Sequence, residues 1–79
     1  MSSMIFYTTE GCHLCEEAAL LLDTLSKSRS IEIEIVDISS DEGLVDLYGI
    51  RIPVVKNKQS DGEIDWPFGL SELANLAGY

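Results

Sequence analysis

Basic residues are scarce in this chain: five Lys and Arg stand against 14 Asp and Glu, a formal net charge of −9. A surface of that sign repels phosphate backbones and anionic headgroups, so neither nucleic acid nor membrane is an expected partner. A basic partner protein would be steered toward it; the plainer alternative is that the charge only keeps a small domain soluble. No apolar run approaches the roughly 18 residues of a membrane span, and no basic, apolar, cleavable leader precedes the first expected strand at Met4. The expected protein is soluble, intracellular and cytoplasmic. Cysteine is also rare. Two residues, Cys12 and Cys15, make no disulfide scaffold, and a bridge between them closes a loop too short to constrain the unfolded chain. With two Pro, six Gly, no repeats and no low-complexity stretch, residues 1–79 are expected to form one domain. Its 46% hydrophobic content suits a compact core.

What the chain does have is a concentrated motif, Gly11-Cys12-His13-Leu14-Cys15. It follows the apolar run Met4-Ile5-Phe6-Tyr7 and precedes Glu16-Glu17-Ala18-Ala19-Leu20-Leu21-Leu22. A helix starting here aims unpaired backbone N–H groups and the positive end of its dipole at Cys12. That environment favours a thiolate, the species that attacks disulfides. Cysteines at i and i+3 of a first helical turn lie about 5–6 Å apart between Cα atoms, within disulfide range. Such a pair opens and closes without rebuilding the backbone, which suits a reversible dithiol.

The nearly continuous apolar run Met4 to Thr8 predicts a central strand covered on both faces. Ala18, Leu21, Leu22 and Leu25 recur at helical spacing from His13 to about Lys27, with Glu16 and Lys27 suiting the helix dipole. Ile31-Glu32-Ile33-Glu34-Ile35 alternates with period 2, and its glutamates fit an edge strand. Ser39 or Ser40 is the expected N-cap of a second helix, and Gly49 its left-handed stop. Val54-Val55 predicts a third strand, Asn57 to Gly62 a hairpin loop, Glu63 to Trp66 a fourth strand, and Leu70 to Ala77 a last helix closed by Gly78. The order is β-α-β-α-β-β-α. Right-handed crossovers then give a mixed four-stranded sheet, its first two strands parallel, with helices packed on it.

Within that frame Cys12 is the candidate nucleophile and Cys15, one turn along, the resolving thiol or else a small core residue. Protonated His13 would favour the Cys12 thiolate, while Glu10, Glu16 and Glu17 oppose it; His13 as a merely solvated residue is the alternative. Trp66 and Phe68 either line a peptide-binding surface or pack in the core. Metal binding has less to work with. His13 and Cys12 side chains diverge and a structural zinc wants four ligands, although two copies could pool four thiolates around zinc or an iron–sulfur cluster.

A CxxC after the first strand of this order, together with Tyr48-Gly49-Ile50-Arg51-Ile52-Pro53 before the third, resembles the thioredoxin/glutaredoxin superfamily over nearly the whole chain. The length and the Tyr7-x-x-x-Gly11-Cys12 lead-in look most like glutaredoxins and small bacterial glutaredoxin-like proteins. The resemblance implies a thioredoxin-like, glutaredoxin-type α/β fold with three helices. It also implies a cis bond before Pro53, beside the cysteine pair, exposing the Ile52 backbone to an extended substrate. The residues alone leave an ordinary trans proline as the alternative.

Three positions depart from glutaredoxins. Thr9 stands where a lysine usually helps hold glutathione, His13-Leu14 replaces Pro-Tyr, and Ile64-Asp65-Trp66-Pro67-Phe68-Gly69 lacks the paired-glycine and acidic signature. Arg51 is what remains as a substrate-carboxylate contact, unless it forms a surface ion pair. The expected activity is thiol–disulfide exchange on protein or small-molecule disulfides, by a monomer with no bound cofactor. Electrons would come from an external thiol system, glutathione or a thioredoxin-reductase-like protein. A binding module with non-catalytic cysteines, and the metal site shared in a dimer, are the competing expectations.

Overall fold

In the computed structural model, which describes residues 2–78, the chain runs β1 (Ser2–Thr8), α1 (His13–Ser28), β2 (Ile31–Asp37), a 3₁₀ turn (Ile38–Ser40), α2 (Glu42–Tyr48), β3 (Val54–Asn57), β4 (Glu63–Asp65) and α3 (Leu70–Ala77). The sheet order is β2-β1-β3-β4, with β1 and β2 parallel and the other two pairings antiparallel. This is the expected mixed four-stranded sheet with three helices. Among the described residues no helix is long and apolar enough to cross a membrane.

β1 is central, and its unbroken apolar run reflects two cores rather than one. Met4 and Phe6 meet Ala18, Leu22 and Leu25 of α1, Val55, and Leu73 of α3. The alternate residue Tyr7 meets Ile38, Tyr48 and Val54 beneath α2. There the Tyr7 and Tyr48 rings stack at 4.3 Å between centroids. β2 occupies the sheet edge with Glu32 and Glu34 exposed, as their alternation predicts, and Lys58 reaches across to Glu34 at 2.7 Å. Phe68 is buried in the α1/α3 core and Trp66 packs against it edge-to-face at 5.2 Å, so both rings serve the core.

Two helix boundaries differ from expectation. Ser39 and Ser40 sit inside the 3₁₀ turn, and Asp41 is the N-cap of α2, its Oδ1 accepting from the N–H groups of Gly43 (2.8 Å) and Leu44 (3.4 Å). The extra turn exists because Asp37 ends β2 with a carboxylate that accepts from the N–H and hydroxyl of Ser39. Those hydrogen bonds, the backbone one foremost, hold the Asp37 carboxyl below its ordinary range. Gly49 is not left-handed: its φ of −52° and ψ of −39° continue the helical sense. Glycine is needed there for space, since a Cβ would lie 2.5 Å from the Val45 carbonyl oxygen. Gly78 closes α3 where the sequence predicts, and it does so in the left-handed region, at φ 92°.

The buried polar residue Asn57 organises the hairpin loop. Its Oδ1 accepts from the N–H groups of Gln59 (2.8 Å) and Ser60 (3.2 Å), and its Nδ2 donates to the Leu76 carbonyl at 2.7 Å, tying the loop to α3. β4 stops at Asp65, one residue short of expectation: Trp66 still gives its N–H to the Pro53 carbonyl, but Pro53 has no N–H to return and Pro67 follows directly.

Candidate active site

The β1–α1 junction is set by backbone geometry. Gly11 takes a φ of +76°, a region that glycine enters without steric penalty, and delivers Cys12 in extended conformation to the first turn of α1. Cys12 is itself the N-cap: its Sγ accepts the Cys15 N–H at 3.1 Å, and its carbonyl accepts the Glu16 N–H at 3.3 Å. The cysteine Cα atoms are 5.2 Å apart and the two sulfurs lie at disulfide distance. Cys12 is half-buried, whereas Cys15 is buried against the α1/α3 core. One sulfur is therefore reachable and the other waits behind it.

The Ile52–Pro53 bond is cis and Pro53 is fully buried, in accord with the resemblance. Ile52 packs against both cores, including the one that holds Cys15, and its N–H is given to the Tyr48 carbonyl at 3.0 Å. The Trp66–Pro67 bond is cis as well, which no motif in the sequence signals.

Charged groups around the pair are acidic. Glu10 and Glu16 border a shallow groove of about 300 Å³ beside the sulfurs, floored by Phe6, Ala19 and Ile35. A second hollow of about 170 Å³ shares those three floor residues and extends past Leu22, Asp23 and Ile33. His13 projects into solvent, its Nδ1 3.8 Å from Glu16 Oε2. The groove is the feature that motif reading misses. Its signal was present as a helical stripe, Cys12, Glu16, Ala19 and Asp23, opposite the isoleucines of β2.

Arg51 is placed as an ion pair. Its Nε and Nη2 bind Asp65 and its Nη2 also meets Glu63, each at 2.9 Å, with the guanidinium 5.2 Å from the Tyr48 ring centre. The Tyr48 hydroxyl donates to Glu63 at 2.7 Å. The Arg51 hydrogen bonds keep the Asp65 carboxyl below its ordinary range. Glu63 is depressed first by Tyr48 and then by Arg51, and the carboxylate in turn pushes the Tyr48 phenol up. A substrate carboxylate at Arg51 would compete with both acids.

The segment that lacks the paired-glycine signature is also engaged internally. At the start of α3 the Gly69 N–H donates to Glu72 Oε2 at 2.6 Å. Among the described residues no three His, Cys, Asp or Glu side chains are grouped to hold a metal ion.

Comparison with known proteins agrees with this geometry. A target protein from X. campestris, solved by X-ray crystallography, is 30% identical with a TM-score of 0.77 over 91% of each chain. Protein Ne2328 from Nitrosomonas europaea is 32% identical with a TM-score of 0.77, over 98% of this chain and 87% of its own. A thioredoxin from Halobacterium salinarum shares the fold at 16% identity, with a TM-score of 0.76 over 96% of this chain and 71% of its own. No curated protein sequence matches the chain. The Glutaredoxin-like domain (DUF836) matches residues 3–76, nearly the full length, and the chain belongs to that family within the thioredoxin/glutaredoxin superfamily.

Proposed function

We propose that the protein is a thiol–disulfide oxidoreductase with Cys12 as nucleophile and Cys15 as resolving thiol. The observation that carries this reading is the Cys15 N–H directed at Cys12 Sγ, with the second sulfur at bonding distance. An amide dipole at the sulfur favours its anionic form. In the reduced protein, the Cys12 thiolate attacks one sulfur of a substrate disulfide and expels the other as a thiolate, which takes a proton from solvent. Cys15 then loses its proton and attacks Cys12 Sγ. The Cys12–Cys15 bond forms, the second substrate thiol leaves, and two electrons have passed to the substrate. An external thiol system returns two electrons to the bridge. Protonated His13 favours the Cys12 thiolate weakly, because it is exposed and close to Glu16.

An extended substrate would hydrogen-bond through the Ile52 carbonyl beside Pro53, since the Ile52 N–H is already used. Glutathione would react as a free thiol rather than from a dedicated site. Support comes from Thr9 in place of a cation, Arg51 held by two acids, and the Glu72 carboxylate on the α3 amide. A reducing cytoplasm suits such a dithiol.

The test is exchange of the reduced protein with bis(2-hydroxyethyl) disulfide. Wild type should oxidise to the Cys12–Cys15 bridge and Cys12→Ser should be inert. Wild type reacting no faster than a free thiol of ordinary pKa, about 8.5, would sink the proposal.

A further inference from the structure

We infer that the groove between α1 and β2 is a docking track for a substrate polypeptide, an extended segment whose cysteine is flanked by apolar and basic residues. This rests on the dithiol reading above and names the substrate class that reading leaves open.

One stripe of α1 begins at the reactive sulfur. Cys12, Glu16, Ala19, Asp23 and Ser26 follow one another at spacings of three and four residues and so share one helix face. All five line the two adjoining hollows, whose common floor is Phe6, Ala19 and Ile35. At the helical rise per residue, the stripe from Cys12 to Ser26 is about 20 Å long. That matches roughly six residues of extended chain. Ile35 is 68% exposed on this floor, and among the described residues the outer edge of β2 pairs with no other strand. Neither hollow is lined by Ile52 or Pro53, so this surface is distinct from the Ile52 carbonyl.

Charge selects the occupant. Glu10 and Glu16 border the sulfur end and Asp23 the far end. Lys27 lies 3.1 Å from Asp23, and the titratable His13 lies near Glu16. Three rim carboxylates on a chain of net charge −9 complement Lys or Arg and repel an acidic segment. The apolar floor gives a Leu-sized side chain of the same segment a place to leave water. A small anionic disulfide matches neither the length nor the sign.

The experiment uses two peptides of equal length, each carrying its cysteine as a mixed disulfide with 2-mercaptoethanol. One flanks it with Lys and Leu, the other with Glu and Leu. Reduction by the dithiol protein is measured for both and for bis(2-hydroxyethyl) disulfide. Each rate is divided by its uncatalysed rate with dithiothreitol, which removes differences in intrinsic reactivity. The basic peptide should react at least about tenfold faster than the acidic one, the ratio shrinking as salt is raised. Asp23→Lys should cut that ratio to about threefold or less. Ile35→Ser should lower the rate of the Leu-containing basic peptide about fivefold relative to the small disulfide. Equal rates, a preference for the acidic peptide, or either variant without its effect overturns the track, provided the small disulfide exchanges. If no disulfide exchanges at all, the dithiol reading itself has failed and the track falls with it.

Discussion

The backbone N–H of Cys15 points at the sulfur of Cys12 from 3.1 Å, an arrangement that would steady a thiolate there. In the reduced protein Cys12 should therefore titrate below the ordinary thiol value of about 8.5, with Glu10 and Glu16 limiting the drop. Ultraviolet absorbance of the thiolate against pH measures this directly. Glu16→Gln should move the midpoint down by a few tenths of a unit. His13→Ala should move it up by less than about half a unit, since both side chains are exposed and screened.

The two sulfurs differ in burial, Cys12 being half-buried and Cys15 buried. Cys15→Ser should leave the attack intact and stall the second step, so a mixed disulfide between Cys12 and a peptide accumulates and is seen by intact-mass analysis. Cys12→Ser should form no such adduct, because Cys15 is only 4% exposed. An adduct on Cys15 would reverse the assignment.

Arg51 gives stability an acid-side slope. Asp65 and Glu63 ionise more readily in the folded protein than in the unfolded chain, so the folded state binds fewer protons. The stability they contribute is complete above their ordinary pKa values, near 4, and is lost as pH falls through the depressed folded ones. Urea unfolding should show a steeper acid-side loss for wild type than for Arg51→Met. At neutral pH that substitution should cost only about 0.5–1 kcal/mol, because the cluster is partly exposed.

Asn57 predicts a larger effect from a residue with no chemical role. Asn57→Ala strands the Leu76 carbonyl and two loop N–H groups in a half-buried setting. The expected loss is about 2–3 kcal/mol in denaturant unfolding, without change in the rate constant for small disulfides.

Much of this was written locally in the chain. The run Met4 to Tyr7 announces a strand between two cores, Glu32 and Glu34 announce an edge, and the cysteine spacing with Gly11 announces a helix start. The parts that escaped depend on residues meeting from afar. Arg51 is 12 and 14 positions from its two acids, which face it once β3 and β4 pair. Asn57 reaches a carbonyl 19 residues away. At the start of α2, Ser39, Ser40 and Asp41 are all competent caps, and the carboxylate of Asp37 decided among them by capturing Ser39 first. The groove took two elements, neither of which declares a cavity alone.

The alternation along β1 has one more result. Sliding that strand by a single residue would send Met4 and Phe6 toward α2, Tyr7 toward α1, and shift Gly11 and the sulfur behind it by about 3.3 Å. Oil-seeking side chains thus serve as the ruler that tells the Cys12 sulfur where to stop. A sound interior and the placement of the Cys12 sulfur depend on the same short stretch of chain.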